Sequence, residues 1–107
     1  MQGFDVEQMR SAVKAGRVEW QRHALQRMLE REISREDVRN VLLAGDRIED
    51  YPRDYPTPSG LFLGWHRERA IHVVAAFDAI RGMVYVITAY EPNTEDFGND
   101  FRARRLR

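Results

Sequence analysis

The stretch IHVVAAFDAIRGMVYVITAY, residues 71–90, contains two strand-like runs joined by a short turn. Residues 71–77 and 83–90 are rich in β-branched and aromatic side chains, which favour strands. Both runs are apolar on either face, as is typical of central strands that are covered on both sides. The short connection between them predicts an antiparallel hairpin.

Two further strands are predicted ahead of this hairpin. Residues 48–51 are a short strand candidate that ends at a proline, and residues 61–66 form a second run. Residues 52–60 between them form a proline-rich loop. Gly60 and Gly64 flank the second run and are interpreted as turn and bulge glycines. The short connections predict an antiparallel meander.

The N-terminal part of the chain predicts three helices. Residues 4–13 carry apolar side chains at helical spacing, and Gly16 follows as a stop signal. Residues 17–20 form a short link to a second helix, which is rich in helix-forming residues. Ser34 can cap a third helix, which ends at Gly45.

The order of elements predicts an α+β fold with two layers. We expect one domain in which N-terminal helices, residues 1–45, pack on a four-stranded antiparallel sheet, residues 46–92. Residues 93–107 form a basic tail with four arginines, expected to be a short helix or loose and solvated. The open face of the sheet could hold a site.

The composition limits the classes of function. With 107 residues the chain has the size of a single domain, and it contains no cysteine, which excludes disulfides and thiol catalysis. A net charge of zero argues against a strongly cationic RNA-coating protein. No apolar run has membrane-spanning length and no secretory signal pattern is visible, so we expect a cytoplasmic protein without a membrane partner.

The second predicted helix carries a possible phosphate-binding face. His23, Arg27 and Arg31 are spaced i, i+4, i+8 and lie on neighbouring turns of one side. Guanidinium groups bind phosphate bidentately, and an imidazole exchanges protons near neutral pH. The alternative is that these residues form ordinary surface ion pairs, with Glu19 or Glu30 as partners.

Three polar residues interrupt the apolar hairpin, namely His72, Thr88 and Tyr90. A polar group inside an apolar strand needs a partner or a function. The structural alternatives are a histidine bonded to the backbone, an ordinary strand threonine and a tyrosine with its hydroxyl in water. The turn leaves the register open by one residue, so their common face is not determined.

The sequence contains no recognisable metal or cofactor motif. The three histidines lack ligand spacing, and there is no Gly-rich phosphate loop and no nucleophile elbow. We therefore expect neither a metal nor a cofactor. Cleavage of RNA fits these limits, because RNA supplies its own 2′-hydroxyl nucleophile and the protein then adds an acid, a base and phosphate-binding cations.

Several motifs resemble a small bacterial domain family of unknown function. The first is HAxxRMxxRxIS, which begins at His23, and Ile71-His72-Val73-Val74 and Ile87-Thr88-Ala89-Tyr90 follow in the same order. Members of that family are similar to the RelE/ParE toxin superfamily, which has a barnase/EndoU/colicin/RelE-like fold. The resemblance implies helices packed on an antiparallel sheet and a toxin-like ribonuclease that acts on RNA.

The resemblance also implies the partners and the site. Such toxins often pair with a zinc-finger or helix-turn-helix antitoxin in a type II toxin–antitoxin system. The residues that match the family pattern are His23, Arg27, Arg31, His72, Thr88 and Tyr90. On this interpretation a histidine acts as acid or base, the two arginines bind the phosphate, and Thr88 or Tyr90 positions it.

Three other functions stay open at this point. The same fold could be a toxin that poisons a target other than RNA. It could be a non-catalytic protein-binding module, with Tyr51, Tyr55 and Trp65 as the contact surface. A third alternative is a small-molecule-binding domain that uses the open sheet face as a pocket. The sequence gives no oligomeric state.

Overall fold

Three helices and five strands make up the computed structural model, which describes residues 3–106. The elements follow the order α1 (Val6–Lys14), β1 (Val18–Trp20), α2 (Arg22–Glu30), α3 (Arg35–Ala44), β2 (Asp46–Tyr51), β3 (Ser59–His66), β4 (Arg69–Asp78) and β5 (Met83–Tyr90). The α+β class is thereby confirmed. Within the described range no helix is both long and apolar enough to span a membrane.

The helix boundaries follow from local capping. The Asp5 side chain accepts a hydrogen bond from the Gln8 amide at 3.1 Å and starts α1. Ser34 and Asp37 form a capping box at the start of α3, since each side chain accepts from the other residue's amide. Gly45 follows the last residue of α3, so both predicted signals of this helix are confirmed.

The sheet is mixed, and the prediction of four antiparallel strands is wrong in this respect. Its strand order is β1-β5-β4-β3-β2, and β2 to β5 form the predicted antiparallel meander. Residues 17–20, expected to be a link, contain β1, which pairs in parallel with β5 from Val18 opposite Val84 to Trp20 opposite Val86. A strand of three residues is too short to show a period in the sequence.

The three helices cover one face of the sheet and form the core with it. The apolar residues of this core come from both layers and include Met9, Val13, Met28, Val38, Leu42, Phe62, Ile71, Val73, Val84 and Val86. They alternate along the central strands with residues that point to the other face. We call that other side the helix-free face; it carries His72, Tyr85 and Tyr90.

Gly64 allows α3 to approach β3 closely. A Cβ atom at this position would lie 2.8 Å from Cγ2 of Val41 and 3.0 Å from its Cα. The expectation of a bulge at Gly64 is therefore wrong, because its lack of a side chain serves helix–sheet packing. The bulges of the sheet lie elsewhere, between Arg47 and Glu49 in β2 and opposite the step from Val74 to Ala75 in β4.

The bulge in β5 changes which residues share a face. Val74 pairs with Thr88, but the next residue of β4, Ala75, pairs with Val86, so Ile87 is the extra residue of the bulge. Up to Val86 the even-numbered residues of β5 point towards the helices. From Thr88 onwards the odd-numbered residues do so. This shift places Tyr85 and Tyr90 on the same face of the sheet.

The C-terminal segment, residues 91–106, folds back over the helix-free face, contrary to the expected loose tail. Phe97 is buried and pairs with Arg104 in an isolated antiparallel bridge. Phe101 contacts Trp65 edge to face, with ring centroids 6.0 Å apart. The last arginine of the predicted tail, Arg107, lies outside the described residues.

Candidate active site

The helix-free face brings His72 and Tyr90 together. They occupy directly paired positions of β4 and β5, and Nδ1 of His72 lies 3.3 Å from the hydroxyl of Tyr90. Their ring centroids are 5.3 Å apart in an edge-to-face arrangement. The register that the turn left open thus places both polar side chains on one face of the sheet.

The hydrogen bonds of His72 determine its tautomer. The residue is fully buried, and its Nε2 lies 2.8 Å from the carbonyl oxygen of Phe101. Because a carbonyl can only accept, Nε2 carries the proton and donates it, which leaves Nδ1 as an acceptor in the neutral ring. Burial lowers the pKa of His72, although the hydrogen bond to Phe101 acts in the opposite direction. The imidazole is therefore neutral at pH 7.

Tyr90 connects this buried histidine to solvent. Burial raises the pKa of Tyr90, so the phenol is protonated at neutral pH and its hydroxyl donates to Nδ1 of His72. The same side chain lines an open cavity. When the phenolic oxygen accepts a proton from the cavity, it can pass its own proton to Nδ1 of His72.

A polar cluster of Glu49, Tyr51 and Arg104 lies on the same face. Arg104 donates from Nε and Nη2 to the two carboxylate oxygens of Glu49, at 2.8 and 3.1 Å. The Tyr51 hydroxyl also donates to Glu49. Burial alone would raise the pKa of Glu49, but the hydrogen bonds from Arg104 and Tyr51 outweigh it and lower the pKa. The ionised Glu49 in turn acts to raise the pKa of His72.

A cavity of about 550 Å³ opens beside Tyr90. Its lining residues come from the end of α2, the end of β5 and the C-terminal segment, and they are Arg31, Tyr90, Glu91, Asn93, Asp96, Phe97 and Arg104. Arg31 follows the last residue of α2, and its Nη1 donates to the carbonyl oxygen of Ala89 at 2.9 Å. This bond directs the guanidinium to the cavity from the end of the helix.

Arg31 is the cavity cation best placed to bind an anion. Within residues 3–106 its guanidinium forms no ion pair, whereas Arg104 is bound to Glu49. Of the two carboxylates in the lining, Glu91 is paired with Arg69, and Asp96 accepts from Asn93 at 3.1 Å. The charge of Glu91 is thus balanced by Arg69, and the Arg31 guanidinium keeps donors that an anion in the cavity can use.

His23 and Arg27 lie outside this cavity. Both are exposed on α2, and Nη1 of Arg27 is 3.6 Å from a carboxylate oxygen of Glu30. Eight helical residues span about 12 Å, so His23 and Arg31 lie at opposite ends of the helix. The i, i+4, i+8 spacing therefore arranges these three residues along the helix without bringing them to one point.

Thr88 shares the helix-free face with the histidine–tyrosine pair but does not line the cavity. It pairs with Val74 across the hairpin, one step along the strand face from Tyr90. Of the six predicted site residues, the structure brings together Arg31, His72 and Tyr90. The same part of the chain, residues 3–106, contains no group of three His, Asp or Glu side chains arranged to hold a metal ion.

Residues 20–91 match a protein family described as Domain of unknown function (DUF4258). The match covers more than half of the chain. The chain belongs to the DUF4258 family. Comparisons with curated proteins and with solved structures found no match.

The DUF4258 match includes all six predicted site residues but ends at residue 91, the first residue of the C-terminal segment. Phe101, which fixes the tautomer of His72, and Arg104, which lines the cavity, lie beyond it. In this DUF4258 domain the cavity is thus completed by residues outside the matched range.

Sequence reasoning missed Glu49 and Arg104 of the polar cluster in this DUF4258 domain, and it named Tyr51 only as part of a possible protein-contact surface. Glu49 and Tyr51 are two positions apart in a strand and so share a face, which is a weak signal in a short strand candidate. Arg104 belongs to a charge-rich tail that composition describes as solvated. A single sequence contains no signal that pairs Arg104 with Glu49, because the two residues are far apart in the chain.

Proposed function

We propose that this DUF4258 domain is a toxin-like endoribonuclease that cleaves RNA by attack of the 2′-hydroxyl, without a metal ion. The observation that carries the proposal is one open cavity lined by Arg31 and Tyr90. The Arg31 guanidinium forms no ion pair within residues 3–106, and the Tyr90 hydroxyl lies 3.3 Å from Nδ1 of the buried His72. RNA brings its own nucleophile, so the protein needs a cation for the phosphate and a group that accepts a proton. The resemblance to RelE/ParE toxins supports the same class of activity.

Arg31 binds the scissile phosphate in this proposal. One of its N–H groups is used by the carbonyl of Ala89, which holds the guanidinium in place and leaves further donors for phosphate oxygens. Bidentate guanidinium–phosphate pairs combine charge with a fixed geometry. Negative charge that develops on the phosphorus-bound oxygens during attack strengthens this interaction.

Tyr90 and His72 accept the proton of the nucleophile. The 2′-hydroxyl proton moves to the phenolic oxygen of Tyr90 while the phenol proton moves to Nδ1 of His72, so that no free phenolate forms. The new imidazolium donates to the Phe101 carbonyl and faces the carboxylate of Glu49. The bond from phosphorus to the 5′-oxygen breaks, and that oxygen takes a proton from solvent in the open cavity.

The biological setting belongs to the same proposal. A toxin of this kind acts on RNA in the cytoplasm and is neutralised by a cognate antitoxin, such as a zinc-finger or helix-turn-helix protein. This part rests on the resemblance to toxin families.

Inducible expression in a bacterial host tests the proposal. Wild type is compared with Arg31→Gln, and Arg27→Gln is the matched control because it removes a guanidinium from the same helix but outside the cavity. Growth and total RNA are followed after induction. We expect growth arrest with RNA cleavage for wild type and Arg27→Gln, and neither effect for Arg31→Gln. Purified wild type should cleave RNA in the presence of a chelator.

Other results of this experiment contradict specific parts of the proposal. Loss of activity in Arg27→Gln and His23→Ala, with activity retained in Arg31→Gln, would move the site to the outer face of α2. Growth arrest with intact RNA would indicate a toxin with a different target. No arrest by folded wild-type protein, shown by circular dichroism of the purified chain, would contradict the toxin activity.

The alternative of a protein-binding module receives less support from the arrangement of its aromatic residues. Tyr51 is bound within the polar cluster, whereas Tyr55 and Trp65 are exposed. Trp65 lies near the C-terminal end of β3, whereas the loop that carries Tyr55 leads into the N-terminal end of this strand. The rise of a strand puts these two ends about 20 Å apart. The three aromatic residues therefore do not form one compact cluster.

A further inference from the structure

A second cavity, of about 370 Å³, lies at the other end of the helix-free face, beneath the proline-rich loop. Residues from this loop and from the β4–β5 hairpin line it, among them Asp54, Tyr55, Pro56, Asp78, Tyr85 and Ile87. Tyr55 is 91% exposed, so its ring is free to contact a molecule that enters. The mechanism proposed above does not use this cavity.

The bulge at Ile87 connects the two cavities along one strand. Tyr85 and Tyr90 are five positions apart, and in a regular strand an odd separation would put them on opposite faces. The extra residue restores them to the same face, and Thr88 lies between them on that face. Five strand residues span about 16 Å, a length that a short piece of single-stranded RNA covers, since stacked nucleotides advance about 3.4 Å each.

We propose that the second cavity binds a nucleobase that carries an exocyclic amino group, and that this base belongs to the RNA strand cleaved beside Tyr90. The inference rests on the proposed function. Single-stranded RNA is recognised by bases that stack on aromatic side chains and form hydrogen bonds along their edges. Tyr55 and Tyr85 supply two aromatic rings in one cavity, and Pro56 and Ile87 add apolar surface beside them.

The two carboxylates of the cavity select the base. Asp54 accepts from the Ser59 hydroxyl at 2.6 Å, and Asp78 accepts from the amides of Ile80 and Arg81 at 3.0 and 3.1 Å. These bonds fix both side chains, and an ionised carboxylate keeps further lone pairs for a ligand. Arg81 also lines the cavity and lies 3.8 Å from Asp78, so Asp54 carries the negative charge that is not balanced by an ion pair within residues 3–106. Carboxylate oxygens accept hydrogen bonds from an amino group, as acidic side chains do from cytosine N4.

Cytosine and uracil provide a matched pair of ligands, because at C4 one has an amino group and the other a carbonyl. The probes are short fluorescein-labelled 2′-O-methyl oligocytidine and oligouridine, which lack the nucleophile and cannot be cleaved. Fluorescence anisotropy measures their binding to wild type, Tyr55→Ala, Tyr85→Phe and Asp54→Asn. Cleavage of ordinary RNA by wild type and Tyr55→Ala is followed in parallel.

We expect wild type to bind oligocytidine about tenfold more tightly than oligouridine. Tyr55→Ala should weaken both by about tenfold through loss of stacking, Tyr85→Phe should bind as wild type, and Asp54→Asn should lose the preference for cytosine. Tyr55 is exposed, so its substitution leaves the fold intact. No binding by wild type, or equal binding by wild type and Tyr55→Ala, would overturn the base site.

The two proposals fail in different ways. RNA cleavage by wild type and Tyr55→Ala at the same positions and rates would overturn the base site and leave the ribonuclease standing. Oligocytidine binding that depends on Tyr55, together with intact RNA, would support the base site and contradict the nuclease activity.

Discussion

Arg104 and Glu49 join the C-terminal segment to β2 through two hydrogen bonds, with Nε 2.8 Å from Oε2 and Nη2 3.1 Å from Oε1. The guanidinium also lies over the ring of Phe97, 5.0 Å from its centroid. This pair holds the C-terminal segment against the helix-free face. Without that segment, the buried His72 would be exposed. The stability of that contact should therefore depend on the charge of Glu49.

Arg104→Met should lower the free energy of unfolding at neutral pH and have less effect in acid. The pKa of Glu49 is lowered in the folded state, so its contribution is present above the unfolded value of about 4.3 and is lost as pH falls through the lower folded pKa. Since Arg104 is more than half exposed, we expect a loss of about 0.5–1 kcal/mol at pH 7. Urea denaturation between pH 3 and 7 measures it.

The control for this prediction is Arg102→Met. Arg102 pairs with Asp46 at 3.0 Å, and the Asp46 side chain is 65% exposed whereas that of Glu49 is 20% exposed, so the loss should be smaller. Equal losses for the two variants at every pH would contradict a specific role of the Glu49–Arg104 pair.

His72 should make the domain less stable as pH falls below about 6.5. Burial lowers the pKa of His72 in the folded state, so between this lowered pKa and the unfolded value the unfolded chain binds the extra proton. The contribution of His72 to the free energy of unfolding is therefore complete above the pKa that His72 has in the unfolded chain, and it declines as pH falls below that value. His72→Asn should reduce this slope, at a cost of about 1–3 kcal/mol at pH 7 from lost buried hydrogen bonds.

His23→Ala is the matched histidine control, because His23 is exposed on α2. Thermal or urea unfolding from pH 5 to 8 compares the three proteins. An unchanged slope in His72→Asn, or a slope removed by His23→Ala, would contradict the assignment.

Tyr90→Phe should abolish most of the proposed RNA cleavage while the fold persists. The hydroxyl is the group that hydrogen-bonds to His72, so its removal breaks the proton path while the edge-to-face contact of the two rings remains. We expect a fall in rate of about 100-fold or more and a stability change of about 1 kcal/mol. Single-turnover cleavage, measured over a range of pH, gives the rate. We expect the residual rate of Tyr90→Phe to be independent of the protonation state of His72. Wild-type cleavage by Tyr90→Phe would exclude the pair as the proton acceptor.

Gly64→Ala should destabilise the domain, because the new methyl group would contact Val41 at 2.8 Å. Overpacking of this kind costs about 1–3 kcal/mol. Gly98→Ala is the control, since its Cβ would meet neighbours only at 3.6 Å and beyond. The midpoints of urea denaturation of the two variants are compared. Equal midpoints would show that α3 can move away from β3 without a loss of stability.

The sequence was sufficient for features that depend on local chemistry. The capping box at Ser34 and the stop at Gly45 involve residues within a few positions of each other. β-Branched and aromatic content placed β5 at Met83–Tyr90, the same limits that the structure shows. These signals need no knowledge of distant parts of the chain.

Features that depend on distant pairing were not predictable. Strand β1 is recognisable only through its partner in β5, and the common face of Tyr85 and Tyr90 depends on a bulge that one sequence does not reveal. The Glu49–Arg104 pair joins an expected edge strand to an expected loose tail. The candidate site was therefore predicted in Arg31, His72 and Tyr90, but without the cluster that surrounds them.

The parallel pairing of β1 with β5 has a consequence for the order of events on the ribosome. Synthesis proceeds from the N-terminus, so residues 18–20 emerge long before residues 84–86, with which they pair. The last strand to be made lies between the first strand and the rest of the sheet, and a nascent chain without it leaves β1 with no partner and β4 with an open edge. The sheet therefore closes in a single late step, because β1 and β4 are joined only once residues 83–90 have left the ribosome.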